Sequence, residues 1–302
     1  MSHMQTPASS HLTIENNRVQ ISVLPSFGAR VVSLLDLAAG RQWLVEGEPV
    51  GEVGADAPYG ALEARGWDEC FPTVAAGHHE SWPNRLRDHG ELWGRPWHAH
   101  ADDCAITAWR ETDRFRFCRR IELHDQILDV SYLVTNLDRR KFSYLWSQHC
   151  LLAVSAADRI QLNGVSDMNL YDGVFDGRKL RRQSICWPDL PDPCLNLSEV
   201  KMADSGLALK IHARAGNQVS AMVSNGRSAI EFSWSGSDAP ALGLWLDYGG
   251  WPETSPVHQI AIEPTTGLSD SLEMTDKTAM TRTLAPGCTH RWKVRIALGQ
   301  LN

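Results

Sequence analysis

No stretch of this chain has the pattern of a long amphipathic helix, and that constrains the fold more than any motif does. Apolar residues come instead in short segments that alternate with polar ones or run fully apolar, at 12–15, 19–24, 29–36 and 42–45, then at 105–111, 114–124, 127–136 and 141–154. Phe115 and Phe117, like Val130 and Tyr132, alternate with polar neighbours, which is the period of a strand with one buried face. Similar segments resume at 207–213, 218–224, 229–233, 242–248, 258–263, 278–284 and 290–298. Asn16-Asn17 and Asn225-Gly226 mark hairpin turns, because asparagine and glycine tolerate positive φ. Helix is confined to short turns, with 195–203 the candidate. Strands at this spacing call for two packed antiparallel sheets. The expectation is therefore an all-β single domain over 11–302, a large antiparallel β-sandwich with few short helices, preceded by a tail at 1–10. The segment 167–199, with WPDLPDPC, reads as a surface excursion, since proline cannot donate to a sheet ladder.

One region breaks the strand pattern. In RGWDECFPTVAAGHHESWPNRLRDHGELWGRPW, residues 65–97, Gly66, Pro72, Gly77, Pro83, Gly90, Gly94 and Pro96 keep interrupting the apolar residues, which argues for long ordered loops. Trp67, Phe71, Trp82, Trp93 and Trp97 carry too much apolar surface for a solvated linker. Tryptophan faces beside carboxylates, arginines and an imidazole suit a ligand with C–H faces and many hydroxyls, such as a sugar. Among the other tryptophans, Trp146 and Trp245 lie on apolar strands and read as core, whereas Trp251 in YGGWPE reads as the mouth of a pocket.

Composition narrows the partners. A formal charge of -7 disfavours a nucleic-acid surface, and no apolar run reaches the roughly 18 residues of a membrane span. Seven cysteines lie scattered without CxxC spacing, and the N-terminus lacks a secretory layout, so a reducing cytoplasm is the expected home. His78-His79 with Glu80, and His98 with His100, lack a placeable third ligand, and no metal site is expected.

Chemistry is expected where polar residues interrupt core-like strands: His149 in YLWSQHCLL and Glu263 in IAIEPTTG, with His89 in RDHGELW nearby. An imidazole and a carboxylate, partly desolvated together, suit proton transfer near neutral pH. The structural alternative is a histidine bonded to backbone and a glutamate paired with a surface arginine. Cys150 is set aside as a partner of His149, because strand alternation points it to the opposite face.

The order of WDECFPT, DHGELW, the strand-borne His149 and IEPTTG followed by Ser269 and Asp270, together with the opening SVLPSFGARVVSLLD, resembles the aldose 1-epimerase, or galactose mutarotase-like, superfamily from about Leu12 to the C-terminus. That resemblance implies an antiparallel β-supersandwich whose concave face binds a sugar without metal or cofactor. It also implies Glu263 as general base, His149 as general acid and His89 as a sugar contact, with Arg65 and Asp247 as counterparts of hydroxyl-binding residues. Trp67, Trp93 and Trp251 complete the expected binding surface. The implied activity is that of an isomerase interconverting α and β anomers by ring opening, acting on a small-molecule sugar as a monomer or homodimer with no nucleic-acid or membrane partner. Two alternatives stay open. One is a non-catalytic sugar-binding or sensing protein on the same fold. The other is a hexose-6-phosphate mutarotase, which would need cations such as Arg65, Arg85, Arg87 and Arg95 at the rim. The departure from the galactose-type pattern, with Ser147-Gln148 before the histidine and Pro264-Thr265 after the glutamate, leaves the sugar undefined.

Overall fold

The computed structural model describes residues 11–47, 53–54, 57–60, 64–273 and 280–299. The tail expected at 1–10 and the start of the strand expected at 278–284 lie outside these residues.

Strands β1 (Leu12–Glu15), β2 (Val19–Leu24), β3 (Arg30–Asp36) and β4 (Arg41–Gln42) pair antiparallel in succession, and β5 (Trp67–Cys70) pairs back onto β3. The β1–β2 turn is fastened by Asn16, whose side-chain oxygen accepts from the Arg18 and Val19 amides. Next come a meander of β6 (His98–Ala101), β7 (Ala105–Glu111), β8 (Phe115–His124) and β9 (Ile127–Asn136), and then β10 (Phe142–Tyr144) and β11 (Ser147–Leu152). The long strand β12 (Arg159–Phe175) leads through β13 (Arg178–Lys179), β14 (Asp189–Leu190) and β15 (Leu195–Asn196) to β16 (Leu207–Ser224). The chain closes with β17 (Ala229–Ser235), β18 (Ala241–Tyr248), β19 (His258–Thr265), β20 (Arg282–Leu284) and β21 (Thr289–Gly299).

β16 joins two layers. Its first half pairs with β18 and its second half with β17, while β12 follows it along both halves. The front layer runs β3-β5-β11-β19-β18-β16-β12, and the back layer runs β16-β17-β21-β9-β8-β7-β6. Between them lies an apolar core in which Trp146 beside β11 meets Tyr132 of β9 and Trp292 of β21 at ring separations of 4.7 and 4.9 Å. Such aromatic pairs add about 0.5–1.5 kcal/mol each beyond the area they bury.

Two expectations are corrected. Residues 195–203 form β15 and turns, not a helix. Residues 167–175 belong to β12, so the excursion is shorter than expected: β12 borders the front layer, and a strand with solvent on one face is free to be polar.

Candidate active site

Alternation along the front layer divides its side chains between core and cavity. On β5, Trp67 and Glu69 turn inward while Asp68 turns outward. On β11, Cys150 joins the core, and His149 and Leu151 line an outer cavity of about 540 Å³. Register brings the polar outward residues together, since β11 pairs with β5 at His149↔Asp68 and β18 with β19 at Gly243↔Glu263. A Cβ at Gly243 would stand 2.8 Å from Glu263 Oε2, so glycine there leaves room for the carboxylate.

Glu263 is 1% exposed. Its Oε2 accepts from Lys210 Nζ at 2.5 Å and from Ser147 Oγ at 3.1 Å. Its Oε1 has no hydrogen-bond partner among the described residues and lies 4.0 Å from His149 Nε2. Lys210 also approaches Asp270 Oδ1 at 3.5 Å, and His212 Nε2 reaches the same oxygen at 3.2 Å without the alignment of a hydrogen bond. Burial alone would lower the Lys210 ammonium, but Asp270 and Glu263 outweigh it and hold the group above its usual range. For Asp270, burial acts upward, and Lys210 and His212 overcome it and keep the carboxyl well below its usual range.

His149 is pushed the other way. Burial first, then the nearby His89 and Lys210, holds the imidazole well below its ordinary range, so the resting site carries it neutral at pH 7. The His149 ring stands edge-on to His89 and Tyr59, at 4.9 and 5.2 Å, and Tyr59 stacks on His89 at 4.0 Å. His89 is aimed from both ends. Asp88 Oδ1 sits 3.0 Å from its Nδ1, and the backbone takes a left-handed turn with φ 57 at His89 and 75 at Gly90. A side chain at Gly90 would collide with the Phe71 carbonyl, which is why DHG ends in glycine.

The loop motifs act as fasteners. Thr265 and Thr266 both hydrogen-bond the Trp146 backbone, and the Asp270 carbonyl accepts the Val74 and Ala75 amides. IEPTTG and FPT thus fix the loop that carries Asp270 beside Lys210.

Not every expected contact reaches the cavity. His149, Glu263, His89 and Trp251 line it. Trp67 and Trp93 are buried elsewhere: Trp67 donates to Glu69 in the core, and Trp93 packs edge-on behind Tyr59. Arg65 lies outside the lining. Asp247, fully buried and likewise outside the lining, accepts from the Gly250 and Trp251 amides through Oδ1 and leaves Oδ2 without a partner among the described residues, with burial pushing it up to about 7 against those bonds. Trp245, expected in the core, lines the cavity. Lys210, Asp270 and Tyr59 were not expected as site residues.

No family model matches the chain, and no curated protein matches it in sequence. Solved structures do match over nearly the whole length. A galactose mutarotase related enzyme from Lactobacillus acidophilus is 16% identical with a TM-score of 0.69, covering 96% of this chain and 98% of its own. A galactose mutarotase-like protein from Lactobacillus casei is 18% identical with a TM-score of 0.66, at 96% and 100% coverage. An aldose epimerase homologue from C. elegans is 13% identical with a TM-score of 0.66, at 97% and 100% coverage. The chain therefore has the all-β galactose mutarotase-like fold.

Proposed function

We propose that this protein is a mutarotase of the aldose 1-epimerase type, interconverting the α and β anomers of an unphosphorylated sugar by ring opening. The observation that carries the reading is Glu263 Oε1, a buried carboxylate oxygen without a hydrogen-bond partner, at the wall of a cavity and 4.0 Å from a buried imidazole. A buried acceptor left open is costly unless a ligand fills it.

Glu263 Oε1 takes the proton of the anomeric hydroxyl as the bond from C1 to the ring oxygen breaks. The ring oxygen receives a proton from His149 Nε2, and the proton on Glu263 then restores the imidazole. Rotation about the bond from C1 to C2 and closure by the same steps reversed gives the other anomer. His149 acts from its neutral form, as an electrophilic imidazole does in other ring- and carbonyl-polarising sites. This replaces the protonated starting state that a simple acid and base pair suggests. Lys210 keeps a positive charge against Glu263 and beside the oxygen on which negative charge develops. Positioned proton transfer contributes about 10²–10⁴ in rate, enough for a reaction that also runs unaided in water.

The cations near the cavity favour a neutral sugar. Arg87 is spent on the Gly90 and Trp93 carbonyls, Arg95 on the Val53 carbonyl, and neither these two nor Arg65 or Arg85 lines the cavity, while Lys179, the exposed cation that does, lies 3.5 Å from Asp172 in the same lining. His89 and Trp251, which line the cavity, remain the proposed sugar contacts among those expected from sequence. Saturation-transfer NMR on a panel of free and phosphorylated aldoses tests the reading. Accelerated anomer exchange with a free aldose supports it, and none with any aldose overturns it. Glu263→Gln and His149→Ala are expected to abolish exchange while largely retaining binding. Equal binding in the wild type without exchange would make the protein a silent sugar binder.

A further inference from the structure

Glu263 sits at one end of the cavity, and the other end is furnished as well. On the same face of β19, Gln259 lies four residues before Glu263, about 13–14 Å along the strand. Register sets it opposite Asp247 on β18. Gln259 lines the cavity, is 1% exposed, and has neither its amide nitrogen nor its amide oxygen hydrogen-bonded among the described residues. Asp247 lies behind the lining. An unsatisfied buried amide is rare in folded proteins, and one on a cavity wall calls for a polar ligand.

Between the two ends the strands carry Ala261 opposite Trp245. Ala261 leaves space where Trp245 offers a flat apolar face, and Trp251 meets Trp245 edge-on at 6.1 Å with an angle of 83° between the rings. Along β18 and β19 the cavity thus runs from a polar group at Glu263, past a small residue and an indole, to a second polar group at Gln259. A volume of about 540 Å³ is in the range that buries a drug-sized ligand, and a single pyranose is only about half of one.

Resting on the mutarotase reading for which end holds the reducing sugar, we infer that the site takes a reducing disaccharide. Its reducing ring lies at Glu263 and His149, and its second ring lies over Ala261 against Trp245 and Trp251, with a hydroxyl bound by the Gln259 amide. The second ring must be linked through a hydroxyl remote from C1, because a linkage at C1 removes the proton that Glu263 takes. Its methyl glycoside should therefore bind without exchange.

The test compares glucose and galactose with maltose, cellobiose and lactose, and with methyl β-maltoside, by calorimetric titration and exchange NMR. At least one disaccharide is expected to bind the wild type on the order of tenfold more tightly than its reducing monosaccharide. Gln259→Leu, which removes groups that have no protein partner and so leaves the fold intact, should bring that ratio towards one, as should Trp251→Ala. The subsite is overturned if no disaccharide gains over its monosaccharide, or if both variants weaken the two classes equally. Binding of methyl β-maltoside reports on the subsite even where anomer exchange fails with every aldose. The two readings can therefore fail separately.

Discussion

Glu69 and Glu263 are both buried carboxylates on front-layer strands, each paired with a buried cation, and they differ in what is left over. Glu69 accepts from Trp67, Arg119, Tyr132 and Trp146, so that both oxygens are satisfied in the core between the layers. Burial pushes its carboxyl up to about 7, against Arg119, Trp146 and Tyr132, which pull it down. Glu263 has Lys210 and Ser147 on one oxygen and nothing on the other. A closed network fixes how the two layers meet, whereas an open one turns an acceptor oxygen towards a cavity. Satisfaction of hydrogen bonds, more than burial or charge, separates scaffold from site here.

That contrast can be broken most sharply by exchanging each glutamate for glutamine. Glu263→Gln is expected to lower the rate of anomer exchange by about 10²–10⁴, read by exchange NMR, with urea unfolding changed far less than in the core variant. Glu69→Gln is expected to cost about 3–5 kcal/mol of stability, because Arg119 keeps a buried charge without its partner, while exchange per folded molecule stays within a fewfold of wild type. Similar stability losses in both variants would erase the distinction.

Lys210→Met sharpens the electrostatic half of the comparison. With the ammonium beside Glu263 gone, the rate of anomer exchange should fall by about 10²–10³, and Lys210→Arg should restore most of it. An unchanged rate in Lys210→Met would reduce Lys210 to a packing role. Acid stability gives a smaller effect. The unfolded chain binds a proton at His149 near pH 6.5 that the folded site refuses, so unfolding free energy should decline as pH drops below about 6.5 and hold above it. His149→Gln should flatten that slope. The contribution of Asp270 has the opposite origin, since its depressed carboxyl stabilises the fold above its unfolded value near 3.9 and is lost only at lower pH. Part of the slope belongs to His290, whose imidazole burial pushes down to about 4, so a slope between about pH 6.5 and 5 no shallower in His149→Gln than in the wild type would remove His149 from it. Tyr59→Phe should have the least effect, about 0.5–1.5 kcal/mol for the lost bond to Asp68, since the ring keeps its stack on His89.

The sequence was most readable where one rule acted alone. Alternation gave the meander and the separation of His149 from Cys150, and asparagine gave the hairpins. Lys210 and His212 carry the same signal as His149, polar side chains two apart within LALKIHARAG, and could have been found by it. Their significance depends on Asp270, which is far along the chain and arrives through backbone bonds to Val74 and Ala75. Tryptophan density marked the region 65–97 correctly as ordered but could not say which indoles face a ligand. Trp67 ended in the core and Trp245 in the cavity, because one residue of register decides the face of a strand, and Trp93, in a turn, has no period to read. Tyr59 lies in a loop with no periodic pattern to expose it.

The central claim is that the open oxygen of Glu263 is where the sugar's anomeric hydroxyl sits. Glutamate carboxyl carbon-13 NMR, with Glu263→Gln and Glu69→Gln to assign the two signals, tests it directly during titration with an aldose. The account expects the Glu263 signal to move saturably with sugar while that of Glu69 stays fixed. A bound sugar that leaves the Glu263 signal unmoved would contradict it.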